Sequence, residues 1–249
     1  MFFFRGLRRR SSLPTNSATG VQFQWLEGEF DHLLANFLLV LGELHQVNRQ
    51  GWKDRGATIP EWVLDHQSFV AHAVLNFGEY LKPKSLKVTH AFWLALVHDI
   101  GELRGDRTPH YGHNPQNARD RRRYFSRLPT LSEDVRQELQ RIKEAEEESS
   151  MALLTSFMTL SMSRRYLNAW NQYREQETME AQFVHQIHAL VDCMRATLYK
   201  SLFPKEEFST FFDTARIQIT DQVLLRLLSR VEAVFKNLET GKPFRFDRP

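Results

Sequence analysis

The stretch that decides the fold is Leu94-Ala95-Leu96-Val97-His98-Asp99-Ile100-Gly101-Glu102, where an apolar segment ends in histidine and aspartate. Residues 85–100 are apolar nearly all round, so we expect them to form the buried centre of a helical bundle. A carboxylate in such a place must be paired or bound to a metal, because an unpaired charge in an apolar interior is costly. The pair His98-Asp99 is therefore the first candidate site.

The rest of the chain also has the spacing of helices. Apolar residues recur at intervals of three and four, and alternating β-branched runs are missing, which predicts an all-α fold. Glycine, asparagine and proline breakers mark residues 110–139 as an inserted surface loop. Helices are predicted over residues 23–47, 60–80, 85–100, 144–160, 163–174, 177–202 and 221–238.

Further candidate ligands lie near this pair. His66 falls on the apolar face of the helix predicted over 60–80 and is expected to point inward. Glu102 shares a face with His98 and Asp99 if that helix continues for one more turn, and Asp106 follows shortly after. Imidazole and carboxylate groups are ligands of first-row divalent ions. The spacing leaves open both a metal site and inward histidines that hydrogen bond in the core.

Composition narrows the class of protein. The length of 249 residues suits one domain with extensions. The single cysteine, Cys193, excludes an intrachain disulfide and a cysteine-based zinc cluster. No run approaches the roughly eighteen uncharged apolar residues of a membrane span, so a soluble protein without a span is predicted.

The basic charge is concentrated in residues 1–20. The formal net charge of +3 is supplied by four arginines in this segment, and no acidic residue occurs before Glu27. Such an arginine-rich, serine-containing leader with apolar neighbours resembles a mitochondrial presequence, which predicts a location in the mitochondrial matrix. The other interpretation is a disordered basic tail.

Five ordered motifs resemble those of the HD-domain 5′-deoxynucleotidases. Together they lie within residues 46–199, and they are PEWVLDH at 60–66, LALVHDIGE at 94–102, GDRTP at 105–109, WNQY at 170–173 and EAQFV at 180–184. The resemblance implies an HD-domain helical bundle over residues 21–202, with a helical extension over 203–249. It also implies a metal-dependent phosphohydrolase that removes the 5′-phosphate of deoxynucleoside monophosphates or similar nucleotides.

The resemblance also assigns roles to individual residues. It implies that His66, His98 and Asp99 bind one divalent metal ion, which the sequence does not resolve among Mn, Co, Mg, Fe and Zn. Glu102 then resembles the acid/base and Asp106 its catalytic neighbour. The residues implied near the substrate are Arg49 for phosphate, Trp52 for stacking on the sugar, Arg55, Lys143 and Glu147. For Trp52 a place at the edge of the core is the alternative.

The chain departs from the family at the late metal ligand, where His188 stands in place of aspartate. Histidine binds the same metals, and Asp192, one turn further on, is a second candidate. The alternative function is a catalytically lapsed HD-fold subunit or scaffold of a large mitochondrial assembly, such as a ribosome, without metal. Its protein contacts would then involve residues 110–139 and 203–249.

A third interpretation is RNA binding through the arginines of residues 119–127, because cationic clusters neutralise phosphates. The near-neutral charge of the chain after the leader argues against a dedicated nucleic-acid binder.

Overall fold

The protein is built from α-helices wherever the computed structural model describes it, namely in residues 29–81, 83–104, 117–126 and 131–241. Two short 3-10 helices, Leu44–Gln46 and Ile100–Arg104, lie between longer ones, and these ranges contain no β-strand. The all-α class is thus confirmed. The helices are α1 (Glu29–Glu43), α2 (Gln50–Asp54), α3 (Val63–Leu81), α4 (Val88–Val97), α5 (Ala118–Phe125), α6 (Glu133–Ser156), α7 (Leu160–Glu175), α8 (Met179–Leu202), α9 (Thr210–Gln218) and α10 (Gln222–Glu239).

Helix α8 is the helix around which the bundle is arranged, since α3, α4, α7, α9 and α10 all pack against it. It begins at Thr178, whose side chain accepts a hydrogen bond from the backbone N–H of Ala181 and so caps the first turn. Helix α4, expected at the buried centre, packs against α3, α7 and α8 and buries Leu94 and Ala95 completely. The α3, α4 and α8 contacts bring together the helices that carry the histidines.

The surface loop predicted over residues 110–139 is wrong in the described part, residues 117–126 and 131–139, because two helices occupy most of it. That these residues are an insertion stays a prediction. Helix α5 is capped by the side chain of Asn117, and α6 begins at Glu133, eleven residues before the predicted start. The side chain of Phe125 at the end of α5 is 1% exposed and lies against the guanidinium of Arg55. In the described part of this region, residues 118–125 and 133–139 are therefore helical, and Phe125 lies in the core.

The arginine cluster of α5 is partly neutralised within the protein. Glu206 lies 3.4 Å from Nε of Arg121 and 3.8 Å from Nη1 of Arg122. These ion pairs join α5 to the segment between α8 and α9, which gives two of the arginines a structural partner.

The two C-terminal helices belong to the same hydrophobic core as the rest of the bundle. Phe212 of α9 and Phe235 of α10 are both buried, with ring centroids 4.9 Å apart. Phe208, just before α9, is fully buried beside Trp52 and Tyr199. Among the described helices, none has the length and apolar character needed to cross a membrane.

Candidate metal centre

Four side chains from three parts of the bundle converge on one point. His66 comes from α3, His98 and Asp99 follow the end of α4, and His188 comes from α8. Each offers one imidazole nitrogen or carboxylate oxygen, and these atoms all lie within 4.8 Å of one another. The structure thus brings together the four first candidates for metal ligands, whereas Asp192, the second candidate for the late ligand, pairs with Arg49.

Two of the histidines present imidazole nitrogens without hydrogen-bond partners to this point. Nε2 of His66 and Nε2 of His98 are buried and make no hydrogen bond, although Nε2 of His98 lies 3.1 Å from Oδ2 of Asp99. Both ring nitrogens of His188 are in contact, Nδ1 with Tyr173 and Nε2 with Arg49. Nδ1 of His98 lies 2.7 Å from the backbone oxygen of Ala95, to which it donates, so Nε2 keeps its lone pair. A buried nitrogen without a partner is unfavourable unless another group satisfies it, and a divalent metal ion would do so. The donor set therefore fits a metal.

The ionisation states of these side chains also favour metal binding. Burial lowers the pKa of His188 well below its usual value, although Asp192 opposes the shift. Burial and the Arg49 cation together lower the pKa of His66. Burial works against ionisation of Asp99, but the neighbouring histidines, His98 first and then His66 and His188, together hold the pKa of that carboxyl well below its usual value. Neutral imidazoles beside a carboxylate are the protonation states that bind metal.

A short backbone pairing places Arg49 and Glu61 at the edge of this cluster. The N–H of Arg49 donates to the backbone oxygen of Glu61 at 2.9 Å, and Val63 pairs with Val47 in the same way. The Glu61 carboxylate lies 3.5 Å from Nδ1 of His66. Glu61 thus stands on the side of the His66 ring opposite Asp99.

Glu61 is itself held by a second cation. Its carboxylate lies 2.5 Å from Nη2 of Arg195 on α8 and 3.8 Å from Nη1 of Arg49. Burial works against ionisation of Glu61, but His66 first, and then the two cations, lower the pKa of this carboxyl below its usual value. A charged carboxylate behind a histidine ring is the usual arrangement that orients a metal-ligating histidine.

Arg49 makes its shortest contact with Asp192, one turn after His188 on α8. Nη1 of Arg49 donates to Oδ1 of Asp192 at 2.6 Å, and Nη2 lies 3.5 Å from Oδ2. The same guanidinium reaches Nδ1 of His66 at 3.1 Å and Nε2 of His188 at 3.2 Å. Burial alone would raise the pKa of Asp192, but the Arg49 cation lowers it instead.

Tyr173 of α7 supports His188 from the opposite side. Its hydroxyl lies 3.1 Å from Nδ1 of His188. The ring of Tyr173 stacks on His185 with centroids 4.1 Å apart, and Nε2 of His185 donates to the backbone oxygen of Tyr173 at 2.9 Å. These contacts fix the position of Tyr173 and, through it, the orientation of the His188 ring.

Three charged residues form a second group beside Asp99. Lys143 of α6 lies 3.3 Å from the carboxylate of Glu102 and 3.5 Å from that of Glu147. Glu102 is buried, and burial raises the pKa of Glu147, although Lys143 opposes this. Helix α4 ends at Val97, and Glu102 lies in the following 3-10 helix, so it reaches α6 through a turn and not through a continued helix.

Two of the residues expected near the substrate lie in the core instead. Trp52 is 1% exposed and stacks on Phe211 with centroids 4.2 Å apart, so stacking on a sugar is not supported by its position. Arg55 is 2% exposed, donates to Gly51 and Thr210, and its guanidinium lies over Phe125 and Phe211. Both side chains are buried for the same reason, which is that helix α9 covers this side of α2. Asp106 lies outside the described residues.

Reasoning from the sequence assigned no role to Glu61, Arg195 or Tyr173. Glu61 and Tyr173 belong to motifs that resemble the family, so their position in those motifs was the available signal. Arg195 lies seven residues after His188 and therefore on nearly the same face of α8. That spacing alone did not distinguish it from a surface arginine.

The helices and the buried cluster define an all-α protein with a preformed set of histidine and aspartate ligands. A protein-family model described as HD domain matches residues 41–224, which is most of the chain. The chain therefore belongs to the HD-domain family, and the resemblance seen in the sequence motifs is confirmed.

Relatives in animals and an amoeba extend this result. The chain is 27% identical over 202 residues to 5′-deoxynucleotidase HDDC2 of Bos taurus, covering 80% of this chain and 84% of that protein. The protein of the same name in Homo sapiens is 26% identical over 202 residues, with 80% and 85% covered. That of Dictyostelium discoideum is 24% identical over 189 residues, with 72% and 86% covered.

Solved structures agree on the fold. A conserved hypothetical protein from Pyrococcus furiosus has a TM-score of 0.53 at 24% identity, covering 81% of this chain and 99% of that one. A predicted metal-dependent phosphohydrolase from Magnetospirillum magnetotacticum also has a TM-score of 0.53, at 16% identity, with 84% and 96% covered. At these identities the likeness concerns the architecture of the bundle.

Proposed function

We propose that this protein is a metal-dependent phosphohydrolase that removes the 5′-phosphate of deoxynucleoside monophosphates or similar small nucleotides. The observation that carries the proposal is the cluster of His66, His98, Asp99 and His188, with two imidazole nitrogens buried and without hydrogen-bond partners. Membership of the HD-domain family and the similarity to proteins named 5′-deoxynucleotidase support the reaction and the substrate class.

The four clustered residues are the proposed ligands of one divalent metal ion. Three imidazoles and one carboxylate suit Mn, Fe, Co or Zn, and Mg less well, because Mg favours oxygen ligands. A bound divalent ion would polarise a phosphoryl oxygen and lower the pKa of a bound water. A ligating His66 would carry its proton at Nδ1, facing the carboxylate of Glu61 at 3.5 Å, and Arg49 would then give up its 3.1 Å contact with that nitrogen.

The remaining residues supply binding and proton transfer in this proposal. Arg49 is the phosphate-binding cation, because its guanidinium lies against both His66 and His188 and its planar fork matches a phosphate. Glu102 is the general base, and its carboxylate is held by Lys143, which also pairs with Glu147. The buried side chains of Trp52 and Arg55 anchor the segment that follows Arg49 to the core.

The test is phosphate release from a panel of ribo- and deoxynucleoside monophosphates, together with metal analysis of the purified protein. We expect bound divalent metal in roughly equimolar amount, release of phosphate from 5′-deoxynucleotides, and loss of both after treatment with a chelator. A protein that binds no metal and hydrolyses none of the panel would instead be an HD-fold subunit without turnover.

We further propose that residues 1–20 direct the protein to the mitochondrial matrix, from their arginines and the absence of acidic residues before Glu27. A fusion of these residues to a fluorescent protein should enter mitochondria. A matched fusion in which Arg5, Arg8, Arg9 and Arg10 are replaced by glutamine should stay in the cytosol. Equal distribution of the two fusions would contradict this proposal.

A further inference from the structure

The ion pair between Arg49 and Asp192 links residues far apart in sequence at the edge of the candidate site. Both terminal nitrogens of Arg49 face the Asp192 carboxylate, with Nη1 at 2.6 Å from Oδ1 and Nη2 at 3.5 Å from Oδ2. Each side chain is only 16% exposed, so the pair is largely shielded from solvent. Solvent screening therefore weakens this attraction less than that of a surface ion pair.

The other neighbours of Arg49 leave the guanidinium little freedom. Nη1 lies 3.1 Å from His66 and 3.8 Å from Glu61, and Nη2 lies 3.2 Å from His188. A phosphate group binds an arginine through the same two terminal nitrogens that a carboxylate uses. A phosphate that binds the two terminal nitrogens of Arg49 must therefore replace the contact with Asp192.

We propose that Asp192 competes with phosphate for the phosphate-binding edge of Arg49. By occupying that edge, Asp192 limits how tightly the site retains a free phosphate ion. The inference rests on the proposed function, in which Arg49 binds the substrate phosphate. It adds a residue that determines affinity for substrate and product and that does not take part in proton transfer.

The consequence for catalysis follows from the charges. Inorganic phosphate and a nucleoside monophosphate both carry close to two negative charges at neutral pH. Without the Asp192 charge, Arg49 would attract such a dianion more strongly, both before and after hydrolysis. Asp192 therefore weakens substrate and product binding together, which raises KM and speeds the release of phosphate.

The test compares inorganic phosphate binding to the purified full chain by titration calorimetry in the wild type, Asp192→Asn and Asp213→Asn. The control removes the same charge from an exposed pair, in which Asp213 lies 2.8 Å from Arg216 on α9. We expect Asp192→Asn to bind phosphate about tenfold more tightly, the size of a charge-assisted hydrogen bond. The control should bind as the wild type does, and KM for the nucleotide should fall in Asp192→Asn without a rise in kcat.

The gain in phosphate affinity must also depend on Arg49. The double variant with Arg49→Gln and Asp192→Asn should bind phosphate no more tightly than Arg49→Gln alone. Asp192→Ser serves in the same comparison if the asparagine variant does not fold. Unchanged or weaker phosphate binding in the Asp192 variants would overturn the inference and indicate that Asp192 positions Arg49 instead. Equal tightening in Asp213→Asn would also overturn it, because the gain would then come from the loss of any negative charge.

Nucleotide hydrolysis, measured separately, distinguishes the two proposals. If the wild type hydrolyses nucleotides but the Asp192 variants gain no phosphate affinity, this inference fails and the proposed function stands. If the Asp192 variants bind phosphate more tightly as expected but no nucleotide is hydrolysed, the competitor role of Asp192 stands and the proposed function fails. If no variant binds phosphate and none hydrolyses nucleotide, both fail.

Discussion

The hydroxyl of Tyr173 lies 3.1 Å from Nδ1 of His188, and the two residues are fifteen positions apart on consecutive helices. Arg49 can only donate to Nε2 of His188, so in this arrangement Nδ1 carries the ring proton and donates to the Tyr173 oxygen. The tyrosine therefore fixes both the tautomer and the orientation of the histidine that stands in place of the family's aspartate. Such outer contacts commonly determine how well a ligand set binds its metal.

Replacing Tyr173 by phenylalanine should weaken metal binding without unfolding the protein. The change removes one oxygen and leaves the ring stacked on His185. We expect a loss of metal affinity of about tenfold, the lower end of the range for such contacts. Metal titration followed by calorimetry measures it, with Tyr80→Phe as the control because Tyr80 is 86% exposed. Equal affinities in the two variants would mean that His188 is held without the tyrosine.

Substitutions of His188 test whether it is a ligand. His188→Asp should preserve or raise metal affinity, because a carboxylate supplies a negative charge that imidazole lacks. His188→Ala should lower it, and the melting temperature should then respond less to added metal. At a hundredfold excess of metal over its dissociation constant, the wild type should gain about 2.7 kcal/mol. No response to metal in all three proteins would contradict the metal site itself.

Glu102→Gln should separate proton transfer from metal binding. Glutamine has nearly the same shape but accepts no proton, so hydrolysis should fall by about 10²- to 10⁴-fold. The metal content should stay that of the wild type, because the cluster of metal-binding candidates does not include Glu102. Elemental analysis beside the phosphate-release assay tests both. Loss of metal in this variant would show that Glu102 is a ligand and not the base.

The burial of the end of helix α5 leads to a prediction about the stability of the fold. Phe125 is 1% exposed, so Phe125→Ala should reduce the free energy of unfolding by about 3–5 kcal/mol. Leu160→Ala, at a side chain that is 67% exposed, should change it by no more than about 0.5 kcal/mol. Urea denaturation of the two variants gives the comparison. Similar stabilities would mean that α5 does not cover the core.

Helical periodicity was enough to predict the class and most helices, because it records which face of each segment is apolar. The same faces predicted that His66 points inward and that His98 ends a buried segment, and the structure brings both together with His188. The pairing of Arg49 with Asp192 spans 143 positions and follows from how α8 packs, which no local pattern contains. Trp52 and Arg55 were misassigned because α9, which buries them, lies more than 150 residues further on.

The buried histidines also predict how stability depends on pH. His66 and His188 both have a pKa below that of an unfolded histidine, chiefly because burial disfavours their charged forms. As the pH falls below about 6.5, unfolded chains take up protons at these positions while the folded protein does not. Protonation therefore favours the unfolded state, and stability falls with falling pH until the lowered pKa values are passed.

We expect the free energy of unfolding, measured by urea denaturation in the presence of a chelator, to decrease between pH 7 and pH 5. Each histidine contributes at most about 1.4 kcal/mol per pH unit. His188→Ala should make this dependence shallower, because it removes one of the two groups. His72→Ala is the matched control, since His72 lies on the same helix as His66 but is exposed. A pH dependence as steep in His188→Ala as in His72→Ala would show that His188 does not remain neutral in the folded protein.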